Sequence, residues 1–213
     1  MIHESAPWKA HLSRDAELIE RWAAKPTPSE RRSFLIERKV FLAAYAMRKL
    51  DDARKLSTDL LSGPLEITRF PPTRQDFSGS ENHRFERFFD LGKPLRQTMP
   101  ARRVLNLLVH SLVFVEVLTE AGTCDAFMVT SDHESTKGLA RVAIADFVHL
   151  MRRAANDFPS CIVMFRDESG RERYWAGHGA PPPEFNALLS TKAAFGLGTS
   201  DPGDVEGAVT DAD

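Results

Sequence analysis

Three side chains with the chemistry to handle a phosphate stand in register near the middle of the sequence: Arg103, Asn106 and His110. At i, i+3 and i+7 of a helix they fall within an arc of about 60°. The imidazole can exchange a proton near neutral pH, and the guanidinium can neutralise oxyanion charge, a combination suited to phosphodiester chemistry. Around them Val104, Leu105, Leu107, Leu108, Val109, Leu112 and Val113 offer no side-chain hydrogen bond. Polar groups buried on such a rod without partners cost kilocalories each. They must therefore meet a neighbouring element such as the 62–81 connection, a second copy of the same stripe, or a phosphate-bearing ligand.

The segment Arg103-Val104-Leu105-Asn106-Leu107-Leu108-Val109-His110 resembles the motif of the HEPN superfamily of helical-bundle proteins, an Arg followed after four to six residues by a His on one helix. The likeness spans about residues 30–121. It implies an RNA-processing or nucleotide-binding protein, as in a defence or toxin system. Two stripes would meet in a homodimer, with His110 transferring protons for attack by an RNA 2′-hydroxyl, Arg103 as phosphate ligand, and Asn106 orienting the phosphate or His110. No metal or other cofactor is implied. The alternative is a non-catalytic accessory protein that offers a sheet edge or face to a protein partner, with the helix purely structural.

Charge allows a nucleic-acid partner without demanding one. The chain has 28 Lys and Arg against 30 Asp and Glu, but five of the acids (Asp201, Asp204, Glu206, Asp211, Asp213) follow Lys192. Basic residues cluster in 31–55 and 84–103, where Arg38, Arg84, Arg87 and Arg102 are the candidate nucleic-acid contacts. Phe85, Phe88, Phe89 and Tyr45 could stack bases beside them, or could be core. Asp132-His133-Glu134 resembles a metal site only in composition, since neighbours on a turn point apart.

The elements that must position these groups follow from periodicity. A helix is expected from about Trp8 to Ala24. Thr27-Pro28-Ser29-Glu30 has a capping Thr, a Pro at the first helical position and a Glu three residues on, so a second helix starts there. Ile36, Val40, Ala43, Met47 and Leu50 give it one apolar face to about Ser57. Residues 62–81, rich in Gly and Pro, are expected as an irregular connection with a short strand near Leu65–Thr68. Pro100 opens a third helix, expected from Ala101 to Ala121 in the middle of a bundle.

After Gly122 the pattern changes to strands at 126–131 and 139–144, a helix at 145–157, and a hairpin of 160–166 with 171–176. The expectation is thus an α+β fold: an N-terminal helical bundle (1–121), a small antiparallel β-β-α-β-β unit packed on it (122–178), and a largely disordered acidic tail (179–213). No stretch is long and apolar enough for a membrane span, and Met1-Ile2-His3-Glu4 lacks the charge and apolar run of a leader, so a cytoplasmic protein is expected. Cys124 and Cys161, both in apolar or β-prone context, are expected as reduced thiols.

Overall fold

The computed structural model describes residues 2–167, 169–183 and 185. Two helices open the chain, α1 (Ala6–Ala23) and α2 (Glu30–Asp52). The expected stripe of α2 is its buried face: Ile36, Val40, Ala43, Met47 and Leu50 are all sealed in the core. Its cap lies two residues later than the sequence suggests. Ser29, in extended conformation, accepts from the Arg32 N–H, and the helix ends at Asp52 rather than near Ser57, with Arg54 at φ 59°.

Five strands form one antiparallel sheet, ordered β2-β1-β5-β4-β3: β1 (Pro64–Phe70), β2 (Leu95–Pro100), β3 (Ser111–Leu118), β4 (Cys124–Ser131) and β5 (Leu139–Ala143). The short strand expected near Leu65–Thr68 is the middle of β1, paired with β2 on one side and β5 on the other. Helices α3 (Ala101–Val109), α4 (Asp132–Ser135) and α5 (Ile144–Asn156) complete the layer of helices.

The expected helix from Ala101 to Ala121 is corrected by the structure. It stops at Val109, and Ser111–Leu118 is strand β3, paired with β4. The cause is visible in the residue types: Val113, Val115 and Val117 recur with period two, and β-branched side chains suit a pleated surface. The first 121 residues are therefore not a helical bundle, since β1, β2 and β3 all lie within them. The α+β class holds. The β-β-α-β-β unit is likewise divided: β4 and β5 belong to the large sheet, whereas β6 (Cys161–Arg166) and β7 (Glu172–Gly177) form a separate two-stranded ribbon. Most of the 179–213 tail lies outside the described residues; Phe185 packs edge-on against Phe165.

Alternation along the strands divides the interior in two. Phe127 and Val129 of β4, Ala140 and Val142 of β5, and Ile67 of β1 join the helices in the main core. Val113, Leu139 and Phe70 point to the other face, where Phe88 and Phe89 cover them. Phe77 packs on both of those rings at 5.2 and 5.5 Å. The short helical stretch Gly79–Arg87 that leads into them is a 3-10 segment kinked at Arg84.

Candidate anion-binding site

Glu134 is the carboxylate around which Arg69, Arg103 and Lys137 gather. It sits in α4, the single helical turn between β4 and β5. Gly138 closes that turn by donating its N–H to the carbonyls of Glu134 (3.1 Å) and Ser135 (3.2 Å). The turn must be tight: Gly138 has φ 121°, and a Cβ there would lie 2.3 Å from the Phe70 carbonyl oxygen. That close approach to the end of β1 brings Arg69 to the same place.

Arg103, in the first turn of α3, grips Glu134 with two nitrogens. Its Nη2 donates to Oε1 at 2.6 Å and to Oε2 at 2.8 Å, and its Nε donates to Oε1 at 3.2 Å. Lys137 Nζ donates to Oε1 at 2.9 Å, and Arg69 Nη1 lies 3.7 Å from Oε2. One negative charge thus faces three positive ones. Arg69 is the least solvated of them, with its side chain 8% exposed, against 42% for Arg103 and 56% for Lys137. Its Nε is buried with no hydrogen-bond partner among the described residues. Burial pulls the Arg69 guanidinium below its ordinary range, against the pull of Glu134. For Glu134 burial works upward, but the bonds from Lys137 and Arg103 hold its carboxyl below the usual value.

The three cations line a hollow of about 310 Å³ with Gln97, Thr98, Met99 and Pro100. Gln97 and Thr98 also line the adjoining hollow of about 520 Å³ over β1, β2 and β5, which adds Arg96 and Arg141 but also Glu66 and Asp146. Arg141 is held there by Asp125 at 2.6 Å. Of these two hollows, the smaller is the one with an excess of positive charge.

The stripe expected on α3 is only partly assembled. Arg103 is bonded within its own chain. Asn106, one turn on, is half-buried, and its Oδ1 is sealed without a hydrogen-bond partner among the described residues. His110 is the C-cap; its backbone N–H bonds the Asn106 carbonyl at 3.0 Å, and its ring is exposed. Seven residues at 1.5 Å rise separate Arg103 from His110 by about 10 Å along the helix. Because Ser111 and Ser131 are register partners, His110 lies at the sheet end where Asp132 and His133 begin α4. No group of three His, Cys, Asp or Glu side chains among the described residues could hold a metal ion.

The other candidate cations are dispersed. Arg102 pairs with Asp51, a nearly sealed carboxyl at the α2–α3 junction that burial pushes upward in pKa despite the guanidinium. Arg38 lies on the outer face of α2, and Arg84 and Arg87 project into solvent from the 3-10 segment. None of the four lines the Arg69–Arg103–Lys137 hollow. Base stacking on Phe88 and Phe89 is closed off, since both are buried in the second core. Sequence reasoning missed Arg69, Gln97, Thr98 and Lys137. The one available signal was Arg69 itself, two residues after Ile67 and so on the core side of an amphipathic strand, where an arginine requires an anion. Comparisons with known protein families, with curated proteins and with solved structures found no match.

Proposed function

We propose that this protein binds the phosphate of a nucleotide, free or within an RNA strand, in the hollow lined by Arg69, Arg103 and Lys137. The observation that carries the reading is the charge imbalance: three cations share the single carboxylate of Glu134 in a half-buried site. A terminal phosphate with two charges offsets that excess and a strand phosphodiester with one charge offsets half of it, and a planar guanidinium is well shaped to meet either. The amide of Gln97 and the hydroxyl of Thr98 add neutral donors on the β2 side. A hollow of this size suits a mononucleotide.

Binding rather than cleavage is the better supported activity. His110 stands two turns along α3 from Arg103, about 10 Å away along the axis, too far to exchange a proton with a phosphate seated on that guanidinium.

The test is fluorescence anisotropy of a labelled single-stranded RNA on the full chain, with AMP and inorganic phosphate as competitors. Lys137→Ala and Arg103→Gln remove partly exposed cations and should each weaken binding about tenfold, the loss of one charged hydrogen bond. Arg87→Gln, outside the hollow, should change little. Competition by AMP identifies a mononucleotide seat; competition only by RNA identifies a strand. Absence of binding, or an equal loss in Arg87→Gln, overturns the reading. RNA cleavage in EDTA that disappears in His110→Ala would favour the enzymatic alternative.

A further inference from the structure

Helix α2 carries a second stripe that the other described residues leave uncovered. At 100° per residue, Arg31, Phe34, Arg38, Leu42, Tyr45, Lys49 and Asp52 fall within about 80° of one another, opposite the buried face. Phe34 is 58% exposed, Leu42 47% and Tyr45 49%. Single exposed apolar residues need no explanation, but three in one row on a 23-residue helix form a surface. Beside it runs an apolar groove of about 380 Å³ between α1 and α2, floored by Leu12 and Ala43 and rimmed by Pro7, Trp8, Leu42 and Tyr45.

The order of residue types along this stripe is self-complementary. A two-fold axis crossing α2 between residues 41 and 42 would lay a second α2 antiparallel on the first. In that arrangement Leu42 meets Leu42 near the axis, Arg38 faces Tyr45, Phe34 faces Lys49, and Arg31 faces Asp52, each contact occurring twice. Every cation of the stripe thereby meets an aromatic ring or a carboxylate. Lys49 already lies over the Tyr45 ring of its own helix at 5.6 Å, so its ammonium is oriented toward this face. Asp52 is 47% exposed and only loosely held by Arg48 at 3.7 Å, which leaves it able to take a second partner. The groove alongside gives the facing helix an apolar flank to pack on.

We propose that α2 is the interface of a two-fold homodimer, with a second copy of this chain covering the Phe34–Leu42–Tyr45 stripe. The interface is independent of the anion site, none of whose residues lie on α2.

Sedimentation equilibrium of the full chain tests it. The wild type should weigh twice 23.9 kDa in the micromolar range. Leu42→Asp, which changes a side chain already exposed in the monomer, should place two like charges at the axis and weaken association at least a hundredfold. Asp52→Arg should weaken it about tenfold by opposing Arg31, and Arg31→Asp with Asp52→Arg should restore it, because the reversed pair is formed across the axis. Circular dichroism of each variant checks that the chain is folded. A monomeric wild type, a dimer untouched by Leu42→Asp, or a charge reversal that fails to restore association overturns the proposal. A monomer that instead captures an acidic helical peptide on this stripe also overturns it.

Discussion

Replacing Glu134 with Gln tests the charge logic of the anion site most directly, because stability and ligand affinity should move in opposite directions. The substitution keeps the shape and removes the one negative charge that faces Arg69, Arg103 and Lys137 among the described residues. Arg103 and Lys137 can turn to water, so each contributes no more than about 1 kcal/mol, as exposed pairs do. Arg69 cannot, at 8% exposure. Breaking a buried pair costs about 3–5 kcal/mol, and the loose 3.7 Å contact places this one at the low end, near 3 kcal/mol. For a chain of this size that lowers the melting temperature by roughly 6–12 °C.

A phosphate in the hollow loses a repulsive neighbour at the same time. At about 5 Å and an effective dielectric between those of surface and water, this is worth about 1 kcal/mol or more, roughly five- to tenfold in affinity. Scanning calorimetry at matched ionic strength in chloride and in phosphate, with titration calorimetry of AMP, reads both effects. The variant should lose about 1 kcal/mol more stability in chloride than in saturating phosphate, since phosphate stabilises both proteins but stabilises the tighter-binding variant by that much more. The pH dependence carries the same signature. The Glu134 carboxyl is held below its ordinary value, so the stability gap between wild type and variant is present above the usual carboxylate range and closes as pH falls through the depressed pKa. Equal losses in the two buffers, or no loss in chloride, would refute the reasoning.

Three further outcomes are expected. Gly138→Ala forces a Cβ to 2.3 Å from the Phe70 carbonyl at φ 121°, so it should cost about 2–3 kcal/mol and weaken nucleotide binding; Gly170→Ala, also at positive φ but with open space around it, should cost about 1 kcal/mol in the same thermal melts. Cys124 is buried, and burial together with the Glu116 carboxylate raises its thiol to about 11. At pH 8 a disulfide reagent should therefore modify the half-buried Cys161 first and reach Cys124 only on unfolding; the stability tied to the neutral Cys124 thiol is full below the ordinary thiol pKa and lost as pH rises through 11. Asp157 accepts from the Ser57 hydroxyl and N–H, both at 2.6 Å, and faces His178 Nε2 at 3.1 Å, tying the β6–β7 ribbon to the end of α2. Asp157→Asn should cost about 1.5–3 kcal/mol and speed amide exchange across residues 161–177 more than in the large sheet.

What the sequence determined by itself was whatever rests on local periodicity. The buried face of α2, the limits of α5, the strands on either side of the 132–138 turn and the β6–β7 hairpin all follow from spacings within a dozen residues, and so does the α+β class. Arg103 was legible as a functional candidate for the same reason: an arginine opening an apolar helix needs a partner. Tertiary structure decided where apolar runs ended and which charges met. Residues 104–118 are apolar almost throughout, and such a run suits a buried helix or a buried strand equally; only pairing with β4 turns its second half into β3 and leaves His110 exposed at the break. Glu134 met Arg69 and Arg103 from sequence distances of 65 and 31 residues because the end of β1, the start of β5 and the start of α3 converge. No spacing rule contains that convergence, since it is fixed by strand order and by the tight passage of Gly138 against Phe70.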